Sequence, residues 1–567
     1  MRFSPKWSIV FAAALILVAL YAATYFVDEE IVAVLPFTTA ETDVSAKALA
    51  EGMAEAVAIR LVRFYPKPRR FFRRTFAVIP QHEVVAHHVT NAAEAKRVLG
   101  VNRVIEGRIQ HAARGERVLV SLIHAGKGNI LCAEIVTGGA DLAATEDQIV
   151  ALSAKCLDLQ PFSQSLASAG RMSRVHAANT AYLEGRGYLY GYDIPDGVDH
   201  AVRSFTQAVQ LDSHFALAYT GLGEAYWRKY EARRDPALSS LAQQNCDQAA
   251  YLDDNLAEAH VCLGTLHSGA GEYTEAMDEF DHAVRLDPRE DEAWVGLASA
   301  HSELGKLAEA EKEYVRAITI RPYWGNYCEL AAFYFQHARY KDAETQFKQA
   351  ILQTPDNSEL YRGLGGVYIA MGRYEDAITN SKQAVAHRPT FGAYENIGTA
   401  YLSLGRFNEA IVNYQRALAL GRGDHRGFGN LARATYWAGR RNEACELYRQ
   451  AVRLAEQQLN VNPNNVDVHI LLAWYYAMLE QQPEALSHLT NAQSLISGKA
   501  EFVFIAAIVH NQFGDRAGTL VCLRRARELQ YSSAEIRAAP EFKPLHGDPE
   551  FESVIAGTAK SRQSNQN

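Results

Sequence analysis

Two alanines recur in phase between residues 276 and 451. The first of each pair is Ala276, Ala310, Ala343, Ala377, Ala410 and Ala444; the second lies seven residues on, at Ala283, Ala317, Ala350, Ala384, Ala417 and Ala451. The steps are 34, 33, 34, 33 and 34 residues. A fixed period of this size signals stacked supersecondary units, none of which buries its apolar face alone. Alanine serves close approach, because two helices pack tightly only where a small side chain sits at the contact. The period predicts a mostly α fold, a right-handed α-solenoid of about ten helix-turn-helix repeats.

The residues around the alanines keep the same phase. One copy has Trp294, Leu297, Ala298, His301, Ala310, Tyr314, Ala317 and Pro322. Another has Tyr361, Leu364, Gly365, Tyr368, Ala377, Ala384 and Pro389, and the next Tyr394, Ile397, Gly398, Tyr401, Ala410, Tyr414 and Ala417. The small residue after Leu or Ile lets the two helices of a repeat touch, and the aromatics fill the space between repeats. Proline opens the next first helix, where its missing N–H costs nothing. Residues 179–530 resemble a tetratricopeptide repeat array on these positions. The register breaks at inserts near 193–197 and 229–236, and at a long helix before Pro463.

The N-terminal part reads differently. Residues Trp7–Phe26 carry no charged side chain over 20 residues, about the length of a membrane-spanning helix. Arg2 and Lys6 precede the run; Asp28, Glu29 and Glu30 follow it. The expectation is a cytoplasmic stub (1–6) and a transmembrane signal anchor (7–27), with a cleavable signal peptide as the competing reading. The bulk of the chain would then lie outside a bacterial cytoplasmic membrane, in the periplasm, as a single-pass protein with its N-terminus inside.

Residues 31–160 alternate strand and helix patterns: IVAVLPF (31–37), an amphipathic helix over 44–64, TFAVIP (75–80), a short helix over 91–100 ended by glycine, three strands between 101 and 136, and a helix over 143–158. IVAVLPF, EGMAEAV and LGVNRVIEGRI resemble the TolB-like domain. That domain often sits just outside the membrane in bacterial Ser/Thr kinases and adenylate cyclases that also carry tetratricopeptide repeats. The resemblance implies a sensory region; the six residues before the apolar run leave no room for their catalytic domain. Residues 161–178 read as a linker, 531–556 as a C-terminal cap, and 557–567 as a disordered tail.

Composition narrows the function. Net charge is −8, which argues against nucleic acid as a bulk electrostatic partner. Seven cysteines include no CxxC pair and read as small buried apolar residues. No kinase catalytic loop, phosphate loop, HExxH helix or GxSxG elbow is present. No catalytic, cofactor or metal residue is therefore assigned. His260, His267 and His301 occupy aromatic repeat positions and read as core.

What remains is recognition by surface. The register places Asn396 and Asn430 at one inward position of adjacent first helices, where an amide can donate to and accept from a peptide backbone. Phe335, Trp437 and Trp474 (and Trp227 upstream) fall on groove positions, and Arg362, Arg426 and Arg433 can bind carboxylates. Lys67, Arg69, Arg70, Arg73 and Arg74 form a basic loop suited to an anionic contact, or simply to water. The expected function is a membrane-anchored, non-enzymatic scaffold binding peptide or protein partners in the groove. A regulatory component working with a separate kinase or cyclase, and an enzyme of unrecognised type, are the alternatives.

Overall fold

The structure is a computed structural model. It describes residues 27–40, 44–67, 73–112, 115–139, 142–161, 172–190, 196–233, 235–420, 424–461, 465–495 and 499–557. The chain divides into two compact units, residues 1–330 with 352–355, and residues 331–351 with 356–567.

The first unit opens on a sheet. Strand β1 (Val27–Val34) alternates: Ile31 and Ala33 join a buried cluster with Leu35, Ile79, Leu99 and Val104, while Val32 and Val34 join another with Val57, Ile105 and Val118. Successive strand side chains point to opposite faces, so both faces of this sheet are covered. The remaining strands are β2 (Thr38–Thr39), β3 (Phe64–Pro66), β4 (Arg73–Val78), β5 (Arg103–Ala112), β6 (Gly115–His124), β7 (Ile130–Gly139) and β8 (Leu159–Pro161). The sheet order is β4-β1-β5-β6-β7, with β2 also on β5 and a separate β3-β8 pair. β1 is parallel to β4 and β5, whereas β5, β6 and β7 form antiparallel hairpins. Helices α1 (Val44–Leu61) and α4 (Leu142–Cys156) pack on the first face, and α2 (Gln81–Ala86) and α3 (Ala92–Leu99) on the second. Asn91 caps α3 by accepting from the Glu94 N–H, and Gly100 ends it in the left-handed conformation.

The expected transmembrane helix is not found. Among the described residues no helix is long and apolar enough to cross a membrane. The expected span lies outside the described residues except for its last residue, and Val27 already belongs to β1. Glu30, expected to flank a membrane, is a buried strand residue paired with Arg103 at 3.0 Å. The single-pass, periplasmic placement falls with that helix. The cysteines also differ from expectation: Cys132 bonds Cys156, tying β7 to α4, and Cys246 bonds Cys262.

Among the described residues, twenty helices then follow as ten pairs. They are α5 (His176–Tyr190) and α6 (Gly197–Leu211), α7 (Ala216–Arg233) and α8 (Pro236–Leu252), α9 (Ala257–Ala270) and α10 (Tyr273–Leu286), α11 (Asp291–Glu303) and α12 (Leu307–Ile320), and α13 (Trp324–Gln336) and α14 (Tyr340–Gln353). The others are α15 (Ser358–Ala370) and α16 (Tyr374–His387), α17 (Phe391–Ser403) and α18 (Phe407–Ala419), α19 (His425–Trp437) and α20 (Arg441–Val461), α21 (Val466–Met478) and α22 (Gln482–Leu495), and α23 (Ala500–Gln512) and α24 (Arg516–Glu528). Every alanine of the phased pairs lies on a second helix and is at most 1% exposed. The mostly helical repeat fold thus follows from the alanine period.

In the first unit the sheet and the first repeats share a core. Met53, Val57 and Leu61 of α1 cluster with Leu183, Phe205 and Phe215. Helix α5 starts at His176, inside the stretch read as a linker, whose residues 162–171 lie outside those described. In the second unit Tyr448, Tyr475 and Phe504 cluster with Ile536, Phe542 and Phe551 of the C-terminal segment.

Candidate partner-binding groove

The expected groove residues of the second unit lie on first helices: Phe335 on α13, Arg362 on α15, Asn396 on α17, Arg426, Asn430, Arg433 and Trp437 on α19, and Trp474 on α21. Asn396 donates its Nδ2 to the Arg362 carbonyl at 2.9 Å. Asn430 donates its Nδ2 to Glu395 Oε1 at 2.8 Å. Each bond reaches back to the preceding first helix, because one register position repeats a full step away. Burial pushes the Glu395 carboxyl up, and the Asn430 amide opposes that rise.

The arginines divide into two kinds. Arg362 meets Glu359 at 2.6 Å with its side chain 44% exposed, and Arg426 meets Asp467 at 3.6 Å at 54%. Such open pairs contribute about 0–1 kcal/mol, so a ligand carboxylate competes easily for them. Arg433 is different. It forms a fork on Glu541, Nε to Oε1 at 2.7 Å and a terminal nitrogen to Oε2 at 2.6 Å. Burial opposes the Glu541 charge, but Arg433 outweighs it and holds the carboxyl below the usual range. Burial likewise opposes the Arg433 charge, and Glu541 more than restores it.

Glu541 comes from the C-terminal segment: α25 (Ser533–Ala538), a 3-10 turn (Pro540–Leu545) and α26 (Pro549–Ala556). Expected to cover only the last repeat, this segment reaches back over several. Ser532 Oγ donates to the Ala370 carbonyl at 2.6 Å, and the Tyr374 hydroxyl donates to the Ala534 carbonyl at 3.2 Å. Lys543 sits 5.7 Å from the Phe407 ring, and Asn511 donates to the Glu541 carbonyl at 3.0 Å. Trp437 donates its indole N–H to Glu541 Oε1 at 3.3 Å. Repeats six, seven, eight and ten therefore hold the chain's own irregular segment.

The other expected groove residues are placed as follows. Phe335 is 40% exposed and packs beside Tyr340. Trp474 is buried, 5.8 Å from the Arg433 guanidinium. Trp227 belongs to the first unit and packs on Tyr230. Of the basic stretch, Lys67 is exposed and 3.5 Å from Asp158; Arg69 and Arg70 lie outside the described residues; Arg73 and Arg74 open β4 rather than a loop. His260, His267 and His301 pair with Glu279, Glu272 and Glu313, so their positions are polar as well as packed. Among the described residues no group of three His, Cys, Asp or Glu is arranged for a metal. Sequence reasoning missed Glu541; it is one of several carboxylates in the cap, and nothing in the sequence sets it apart from Glu535, Glu550 or Glu552.

Tetratricopeptide repeat family models match residues 263–326, 334–395, 392–423 and 428–465. No curated protein matches the chain. Among solved structures it is similar to a thermophilic TPR protein of Thermus thermophilus, with 26% identity, 32% of this chain and 99% of that one covered, and a TM-score of 0.28. It is also similar to MamA (23%, 28% and 93%, TM-score 0.25) and to a tetratricopeptide repeat protein of Parabacteroides merdae (17%, 44% and 97%, TM-score 0.35). The family matches fall on the helix pairs whose register the buried alanines set, and the chain carries tetratricopeptide repeats between residues 263 and 465.

Proposed function

We propose that this chain is a non-catalytic scaffold that binds an acidic peptide or protein segment on the first-helix face of its central repeats, with the α/β domain a TolB-like module beside it. One observation carries the reading: the same face already holds the chain's own segment. It does so through an arginine fork on a carboxylate, an asparagine on a main-chain carbonyl and an indole N–H. Arg362 and Arg426 offer the guanidinium and Asn396 and Asn430 the amide on the same and neighbouring repeats, both arginines being exposed, and Phe335 adds a partly exposed ring. Arginine and aromatic side chains are the residue types that anchor interfaces.

The test is recovery of partners on the full-length chain and on a variant carrying Arg362→Ala, Asn396→Ala, Arg426→Ala and Asn430→Ala. The expected result is loss of at least one partner by about tenfold or more, with unchanged helicity. Equal recovery of every partner by both proteins would remove the groove reading.

A further inference from the structure

The first unit holds a cavity of its own. A cavity of about 400 Å³ is walled by α1 and α4 on one side and by α5, α7, α9 and the start of α11 on the other. That volume falls in the range of small-molecule sites, ~300–1,000 Å³. Its wall is rich in charge as well as apolar surface: among the described residues, six arginines and eight carboxylates line it, together with Trp227, Tyr182 and Leu217.

The pairing inside is incomplete, and in a regular way. Glu55 gives Oε1 to Arg186, Glu146 gives Oε1 to Arg60 at 3.0 Å, and Glu258 gives Oε1 to Arg63 at 2.6 Å. The Oε2 atoms of all three are buried and accept no hydrogen bond. Gln81, 4% exposed, has neither its amide oxygen nor its amide nitrogen paired. Arg289 makes no ion pair among the described residues, and its buried Nε donates to nothing. A buried polar group without a partner costs about 1–3 kcal/mol, more when charged. Several such groups in one wall are what a polar ligand would satisfy.

The unpaired atoms state what that is. Carboxylate oxygens without donors call for a cation rich in N–H, such as an ammonium group. A guanidinium without an acceptor calls for a carboxylate, which it binds as a fork. A side-chain amide with both halves unpaired matches a peptide unit, which offers one donor and one acceptor. We propose that this cavity binds a short peptide with free termini, its carboxylate at Arg289, its ammonium on the carboxylate-rich wall that holds Glu55, Glu146 and Glu258, and a peptide unit at Gln81.

The electrostatics agree with that polarity. Burial pushes the Glu55 and Glu146 carboxyls up, and their arginine partners recover only part of the rise. Burial pushes the Arg289 guanidinium down; Asp287 opposes this, and Arg321 and Arg316 add to it.

Calorimetric titration of the full-length chain with trialanine, N-acetyl-trialanine and trialanine amide tests the assignment. Trialanine is expected to bind saturably, and each blocked form about 10- to 100-fold more weakly. Arg289→Gln should bring trialanine to the level of the amide while leaving the amide unchanged, and Gln81→Leu should weaken all three alike. Because the Arg289 guanidinium has no ion-pair partner among the described residues, Arg289→Gln should keep the wild-type melting temperature. If that variant fails to fold, the three ligands on the wild-type chain still decide. Absence of saturable binding by trialanine, as expected of a cavity that holds only water, would overturn the proposal. Equal affinity for free and blocked peptides would do the same. Neither result bears on the groove, whose test uses other residues and other partners.

Discussion

Glu541 is 5% exposed and carries a charge that Arg433 neutralises through two hydrogen bonds. Removing one member of such a pair leaves the other buried and uncompensated, which costs about 3–5 kcal/mol. Arg433→Met is expected to lower stability by that amount in urea unfolding, and adding Glu541→Met should restore most of it. An unchanged midpoint for the single variant would contradict the pairing. A second carboxylate in the same segment acts the other way. Burial pushes Glu535 up to about 7, with Tyr531 and Arg433 opposing and Glu501 adding to the rise. The folded chain therefore keeps this proton longer than the unfolded one, so stability falls as pH rises from about 4.3 towards neutrality. Glu541 shifts downward, so its stabilisation is present at neutral pH and lost only as acid reaches its depressed value. Glu535→Gln should flatten the melting temperature between about pH 5 and 8 and raise it at the upper end. A wild-type profile already flat there would count against the burial of this carboxyl. The register of Asn396 and Asn430 was legible in the sequence; the Arg362 carbonyl and Glu395 as their partners were not, since a register specifies a position and not what faces it.

At the scale of elements, the helix pairs were legible because small residues recur wherever backbones meet. The same logic operates outside the array, where no period announces it. Helix α1 lies against α5 through two glycines: a Cβ on Gly52 would sit 1.8 Å from the Leu183 carbonyl oxygen, and one on Gly187 would sit 1.9 Å from that of Ala48. These neighbours are backbone and cannot move aside alone. Gly52→Ala or Gly187→Ala should therefore destabilise the first unit by about 1–3 kcal/mol or more, read as a shift in urea midpoint. A shift under about 0.5 kcal/mol would show the two helices to be further apart. Strand β1 is the element the sequence misplaced. It starts four residues before the apolar run at Ile31, because Val27 and Asp28 find partners in Arg73 and Arg74 of β4. A strand's length is set by its neighbour as much as by its own residues. The charges of that stretch therefore looked like the flank of a helix when they were the start of a sheet.

Across the whole molecule, each unit owes its core to chain that is not repeat. A repeat array needs its terminal apolar faces covered. In the first unit one face of the sheet domain covers the opening repeats, and α1 closes the polar cavity against their first helices. In the second unit the C-terminal segment supplies Ile536, Phe542 and Phe551 to the core and Glu541 to Arg433. The alanine period by itself determined the helix pairs, their register and which face of each second helix is buried. Every one of those contacts joins residues within a repeat or between neighbours, and so it recurs and leaves a period in the sequence. Only the tertiary structure decided that Glu541 meets Arg433, 108 residues apart, and that Glu55 meets Arg186, 131 residues apart. Contacts of that reach occur once, and a contact that occurs once has no period by which a sequence can reveal it.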